Sequence, residues 1–283
     1  MEIKEVEITQ ILNPTSIDLG DYVINPFRGC ALSCLYCYVR HNKVTQRDKR
    51  QWGDYVDIRV NAPMLLEKEL VKKRPTRVLL GSTTECFQPV EEKWHMTEKI
   101  LGILNRHKVL YTILTRSPSV LNAIPLLKEG FCEAIYFTIN HFNDTLKKTL
   151  EPKSASFNRR METIQKLLQE DIPVIPYFSP VLPYISDFSD VFSQCKNSRI
   201  IEFEGLNFSL GNIKGIIESI GTIHPQLKEI YQNMLIDRKT YQQIFNNTQK
   251  EIKKQAIKTN TKHRIFIHKW RSYFENTYAQ GIK

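Results

Sequence analysis

The sequence predicts an α/β fold: a partial (β/α)6 TIM-like barrel over residues 1–211, followed by a helical, basic C-terminal extension over residues 212–283. Two observations carry this. Six short apolar runs alternate with stretches whose apolar residues recur every three to four positions. Such alternation implies parallel strands joined by right-handed crossovers. After Gly211 the strand-like runs stop.

Tyr22–Asn25 is the first strand expected, short and weakly patterned. Helix Ala62–Lys73 follows, with Pro63 in its first turn, where a missing N–H costs little. Arg77–Ser82 is the second strand, an apolar run that ends in small residues. Thr97–His107 reads as a helix and Val109–Thr115 as the third strand. Pro118–Glu129 reads as another helix opened by proline. Ala134–Asn140, Ile172–Ser179 and Arg199–Phe208 complete the strands, with helix Asn158–Glu170 after the first of these. In barrels of this kind the chemistry gathers at the C-terminal strand ends. Ile213 to Ala279 reads as helical, broken near Thr222–Pro225 and Thr259–Thr261.

The composition, 41% hydrophobic and 25% charged in 283 residues, is globular and excludes wholesale disorder. A chain of this length builds a core without disulfide staples. No apolar run reaches the ~18 residues of a membrane span. Met1–Gln10 shows no apolar signal segment, so a cytoplasmic location with no membrane partner is expected. Thiols there stay reduced, and clustered cysteines point to metal.

The net charge of +10 is concentrated at one end. Residues 238–283 hold 11 Lys plus Arg against two Glu, whereas residues 1–237 hold 29 against 28 acids. Lys250, Lys253, Lys254 and Lys258 recur at helical spacing. Between His263 and Tyr273 cations mix with aromatics, which suits phosphate contact with base stacking. The same segment suits a helix that packs Ile265, Phe266, Ile267, Trp270 and Phe274 while its cations face water. The tail is a candidate nucleic-acid surface on either reading.

Cys30, Cys34 and Cys37 form C-x3-C-x2-C. Three thiols this close can wrap one centre, and their softness favours zinc or an iron–sulfur cluster. A structural zinc wants four ligands, and His41 is the only local fourth. On a four-iron cluster, three ligands leave one iron open to bind a substrate. Spacing alone leaves zinc, and a metal-binding module without catalysis, as alternatives.

This loop, with an aromatic before its last cysteine, resembles the radical S-adenosylmethionine enzymes. More narrowly, the chain resembles their spore photoproduct lyase-like (DNA repair photolyase-like) branch. The supporting strings are Ile11-Leu12-Asn13-Pro14-Thr15, Asn25-Pro26-Phe27-Arg28-Gly29-Cys30 and Asn61-Ala62-Pro63. They continue through Ser82-Thr83-Thr84-Glu85-Cys86-Phe87-Gln88-Pro89-Val90-Glu91, Leu114-Thr115-Arg116-Ser117 and Leu150-Glu151-Pro152. In this order they cover residues 11–185.

The resemblance implies a [4Fe-4S] cluster on Cys30, Cys34 and Cys37, with S-adenosyl-L-methionine on the open iron. It implies reductive cleavage to a 5′-deoxyadenosyl radical, the electron coming from a donor such as flavodoxin or ferredoxin. Tyr36 is then expected against the adenine, and Ser82, Thr83 and Thr84 near the methionine amino group. Arg116 is expected at the carboxylate, where a guanidinium can pair bidentately. Thr138 and Asn140 match further cofactor contacts. Glu151 reads as a structural group tied to a base such as Arg159 or Arg160.

The chain also departs from the branch. Members that repair spore photoproduct carry a hydrogen-donating cysteine where Ser82 stands, and a serine O–H bond is too strong for that role. Cys86, four residues on, is the candidate hydrogen-atom donor. Cys132 and Cys195 read as buried packing thiols. The branch's Asp-Pro after the second strand is here Glu85-Cys86. The expected activity is nucleic-acid repair or modification; the enzyme alternative acts on a peptide or small molecule.

Overall fold

The computed structural model describes residues 1–42, 45, 48–209 and 212–271. Its strands are β1 (Glu2–Val6), β2 (Asn13–Pro14), β3 (Tyr22–Ile24), β4 (Phe27–Arg28), β5 (Tyr55–Arg59) and β6 (Arg77–Leu80). They continue as β7 (Leu110–Thr115), β8 (Cys132–Thr138), β9 (Val174–Val181), β10 (Ile201–Gly205) and β11 (His263–Phe266). The longer helices are α1 (Ala62–Lys73), α2 (Met96–Arg106), α3 (Asp144–Leu150), α4 (Phe157–Gln169), α5 (Ile213–Ile223), α6 (Pro225–Ile236) and α7 (Arg238–Lys258). All six expected strands form, as β3 and β6 to β10, and the fold is mixed α/β with parallel pairing.

Two compact units divide the chain. The first holds Met1–Ser33, Lys49–Thr138 and Ser154–Pro176. Within it β3, β6, β7 and β8 run parallel in that order, and β2 pairs antiparallel with β3. β7 and β8 are buried along almost their whole length, as parallel strands covered on both faces are. A smaller sheet sets β1 parallel and β4 antiparallel on the two sides of β5. α1 buries Ala62, Leu66 and Leu70 at four-residue spacing, with Pro63 in its first turn. Ser156 caps α4 by accepting a hydrogen bond from the Arg159 N–H.

The expected helix Pro118–Glu129 forms only in pieces, a 3-10 stretch Pro118–Ala123 and the single turn Ile124–Leu127. Pro125 accounts for the break: it has no N–H to donate back to the preceding turn.

The second unit holds Cys34–Asp48, Ile139–Lys153 and Tyr177–Lys283. Here β10 lies between β9 and β11, parallel to both, with Phe203 opposite Phe178 and Ile201 opposite His263. α3, α5, α6 and α7 share one apolar core that includes Leu150, Ile220, Tyr231 and Phe245, and Leu35 and Tyr36 pack against it.

β11 corrects the expectation of a wholly helical extension. From His263 to Phe266 residues alternate half-buried and exposed, a period of two that fits an edge strand beside β10. Phe266 therefore points outward, 56% exposed, instead of packing. Ile267 and Trp270 do pack on the helical core. Gly211, the expected boundary, and Tyr273, Phe274 and Ala279 lie outside the described residues. The break at Thr222–Pro225 falls between α5 and α6; a further one, capped by Asp237, separates α6 from α7. Among the described residues no helix is long and apolar enough to cross a membrane.

Candidate active site

In the first unit the chain turns out of β4 through Gly29, whose φ of +86° suits glycine. A Cβ on Gly29 would collide with the Tyr55 carbonyl and ring. Cys30 follows, half-buried, and Ser33 N donates to its carbonyl across a turn. Two buried side chains hold this segment from both sides. Thr84 Oγ1 donates to Gly29 O at 2.6 Å. Gln88, fully buried, accepts from Ala31 N at 2.8 Å and donates from Nε2 to Thr84 Oγ1 at 3.0 Å. Asn25 Oδ1 accepts from Thr83 N at 2.9 Å, and its Nδ2 faces Ser82 Oγ at 3.3 Å. The Ser82–Thr84 hydroxyl run beyond β6 is thus brought to the segment that carries Cys30.

Glu85 sets the next strand end. Its Oε1 accepts from Thr115 Oγ1 and Phe87 N, and its Oε2 accepts from Arg116 N at 2.9 Å. Burial nonetheless raises its pKa against those hydrogen bonds. Arg116 thereby has its backbone fixed while its side chain stays half-exposed. Cys86 is 0% exposed and lies where a Cβ on Gly81 would come within 3.0 Å of its sulfur. Burial holds this thiol protonated, pushing it well above the ordinary range. Thr138 is buried at the end of β8. Cys132 and Cys195 are buried as expected.

In the second unit Cys37 N donates to Cys34 O, so the C-x2-C segment is closed as a turn with its two cysteines at the ends. Arg40 Nε donates to Cys34 O at 2.8 Å and Leu35 N to Leu150 O at 2.9 Å, which pins the turn on α3. Tyr36 donates its phenolic proton to Glu151 Oε1. Asn140 Nδ2 reaches Tyr36 Oη at 3.0 Å, Glu151 Oε1 at 2.9 Å and Ser179 O at 2.7 Å. Asn140 Oδ1 is buried and accepts no hydrogen bond among the described residues. Of the two bases expected for Glu151, Arg159 pairs with Glu162 and Arg160 is fully buried.

The same network runs on to a carboxylate that the sequence did not single out. Glu204, near the end of β10, accepts from Tyr177 Oη and Ser179 Oγ at 2.6 Å each and from His268 Nε2 at 3.0 Å. A carboxylate can only accept, so His268 carries its proton on Nε2, leaving Nδ1 to accept from Asn207 Nδ2 at 3.2 Å.

The donor chemistry fits a soft metal centre. Three reduced thiols lie within eight residues, two of them closing one turn, none in a disulfide. An uncommitted acceptor, Asn140 Oδ1, lies beside the tyrosine that precedes Cys37. Among the described residues no three Cys, His, Asp or Glu side chains are grouped as a metal site.

Residues 24–191 match the family model described as the Radical SAM superfamily. The protein MJ0683 of Methanocaldococcus jannaschii is 28% identical over 253 residues, covering 89% of this chain and 95% of its own. The protein Rv2578c of Mycobacterium tuberculosis is 23% identical over 182 residues, covering 61% and 53%. Among solved structures, spore photoproduct lyase complexed with dinucleoside spore photoproduct superposes with a TM-score of 0.57 at 17% identity. That match covers 78% of this chain and 66% of the lyase. At such identity the likeness is one of fold.

Proposed function

The chain belongs to the Radical SAM superfamily and is an enzyme of that class, and we propose that it acts on nucleic acid, in repair or modification, from a partial (β/α)6 barrel in the cytoplasm. Cys30, Cys34 and Cys37 are the residues to hold a [4Fe-4S] cluster, with S-adenosyl-L-methionine at its open iron. When bound, that pair supplies a 5′-deoxyadenosyl radical by one-electron cleavage of the sulfonium, the electron arriving from a flavodoxin- or ferredoxin-type donor. The observation that carries the reading is the C-x3-C-x2-C set itself, closed by backbone turns and inside the matched span.

The chain's own residues then position and exclude. Thr84 and Gln88 fix the backbone on either side of Cys30. Ser82 and Thr83 offer hydroxyls toward an ammonium, and Arg116 a guanidinium toward a carboxylate. Asn140 Oδ1 is an acceptor for a ligand N–H, with Tyr36 held beside it. Cys86, kept as S–H, is the hydrogen-atom donor of this reading. The nucleic-acid part is supported by the charge of residues 238–283, and by likeness of fold to an enzyme whose solved complex contains a dinucleoside photoproduct.

Anaerobic reconstitution tests the chemistry. It should give about four irons per chain, and dithionite with S-adenosylmethionine should release 5′-deoxyadenosine. Zinc in place of iron, or no cleavage under reduction, would reject it. Deuterium transfer into 5′-deoxyadenosine from labelled oligonucleotides tests the substrate, and transfer only from peptides or small molecules would overturn that part.

A further inference from the structure

One cleft of ≈ 440 Å³ lies in the second unit, between α7 and the segment after β11. This is the size of cavity that takes a small organic ligand. Arg238, Gln242, Asn246 and Gln249 recur at four- and three-residue spacing along one face of α7, and Lys269 faces them. Among the described residues none of these five side chains makes a hydrogen bond or ion pair. Among the described residues no carboxylate lines the cleft. Its floor is aromatic: Tyr241 and Phe245 are almost fully buried and Trp270 partly so.

The polar ends of that floor are already used by the chain. Tyr241 Oη donates to His268 O at 2.8 Å and Trp270 Nε1 to Met234 O at 3.1 Å. What remains for a ligand is the partly exposed Trp270 ring, three carboxamides that each donate and accept, and two cations that form no ion pair among the described residues. An acidic peptide would use the cations and, through its backbone, the amides, but would leave the Trp270 ring without a stacking partner. A nucleotide uses all three: phosphate on Arg238 and Lys269, a base on Trp270, base edges on the amides.

We propose that this cleft captures one unstacked nucleotide of a single-stranded nucleic acid. The proposal rests on the nucleic-acid reading above and locates it in a defined pocket instead of the exposed lysines of α7. A base inside a duplex cannot enter such a concavity, so the ligand is single-stranded or locally extruded. The cleft is also joined to the cluster-bearing turn. His268 on its wall bonds Glu204, Glu204 bonds Ser179 Oγ, and Ser179 O bonds Asn140, which bonds Tyr36. A strand held here therefore lies on a hydrogen-bonded frame shared with the residue before Cys37.

A charge-matched comparison tests it. Arg238→Gln/Lys269→Gln removes two charges from the cleft; Lys254→Gln/Lys258→Gln removes two from the far side of the same helix. Binding of fluorescein-labelled oligothymidylate and oligouridylate is read by anisotropy in the reconstituted full chain, with melting curves confirming that both variants fold. The cleft variant should bind roughly tenfold more weakly, its log–log salt slope reduced by about 1.4, for two phosphate contacts on a single strand. The control should change less than about twofold.

Equal loss in both variants would overturn the cleft while leaving the nucleic-acid reading intact. No binding of any oligonucleotide by the native chain would remove both. Competition by oligoglutamate as strong as by oligothymidylate would also overturn the proposal. Radical chemistry is scored apart from all three, by 5′-deoxyadenosine release without oligonucleotide.

Discussion

Tyr36 donates its phenolic proton to Glu151, a residue 115 positions further along the chain. The contact fixes the ring that immediately precedes Cys37, and Glu151 is 0% exposed. Asn140 donates to the same carboxylate oxygen. Removing one donor leaves a buried acceptor short, at a cost of about 1–3 kcal/mol. Tyr36→Phe should lower unfolding stability by that order with the ring retained. Glu151→Ala should cost more, because it removes an acceptor from Tyr36 and from Asn140 at once. A double-mutant cycle in urea should give a coupling of about 0.5–3 kcal/mol; strictly additive losses would show that the tyrosine is held by packing alone.

Gly29 and Thr84 together set the path of the chain into Cys30. Gly29→Ala forces a Cβ against Tyr55 at a positive φ, where strain costs on the order of 1–3 kcal/mol. Thr84→Val keeps the shape but leaves the Gly29 carbonyl only a long 3.4 Å contact from Gln88 Nε2 and removes that amide's hydroxyl acceptor, at about 1–3 kcal/mol. Both should lower iron bound per chain after reconstitution. Thr84→Ser, which keeps the hydroxyl, should restore it. Full iron loading in Gly29→Ala would show that the loop tolerates a shifted path.

What was legible in the sequence was local. C-x3-C-x2-C is a spacing within eight residues, and the six apolar runs announce β3 and β6 to β10 by themselves. β1 was not legible: Glu-Ile-Lys-Glu-Val is almost wholly exposed and becomes a strand only by pairing with β5. Gln88 and Asn25 lie within the motif strings, yet nothing local marks their role, because their partners are backbone groups 57 and 58 positions away. A buried amide that holds a distant loop leaves no periodic trace. β11 was hidden for another reason, since the cations of residues 262–271 resemble a helical face while the alternation spans only four residues. Glu204 carried no signal until folding set His268, 64 positions on, against it.

Glu204 predicts a signed pH effect. Burial pushes its carboxyl pKa up, but the hydrogen bonds from His268, Ser179 and Tyr177 outweigh that and leave it lowered. A folded value below the unfolded carboxyl's ~4.3 gives stability that is full above that pH and lost as acid protonates the group. Glu204→Gln keeps an acceptor without the charge. The native chain should exceed the variant by about 1.5–3 kcal/mol near neutral pH, the worth of hydrogen bonds to a charged group. That gap should shrink below about pH 4. Urea midpoints at several pH values read it, and a gap that widens on acidification would contradict the lowered pKa.

The six thiols separate by exposure, which predicts an order of alkylation. Cys30 and Cys37 are half-buried, whereas Cys34 and Cys132 are 7% exposed and Cys86 and Cys195 0%. Burial pushes Cys132 and Cys195 up to about 12 and Cys86 well above its ordinary range, so at neutral pH these stay as unreactive S–H. Iodoacetamide on the metal-free, anaerobic chain should modify Cys30 and Cys37 at least roughly tenfold faster than Cys86, by peptide mass analysis. Cluster reconstitution should then protect Cys30 and Cys37 without changing the slow set. Hydrogen-atom donation by Cys86 needs both an intact S–H and a path from the thiol to the substrate radical. Burial secures the first and opposes the second. A Cys86 that alkylates as fast as Cys30 would show that the strand-end loop opens; one that stays unlabelled through turnover, with Cys86→Ala still converting substrate, would remove it from the reaction.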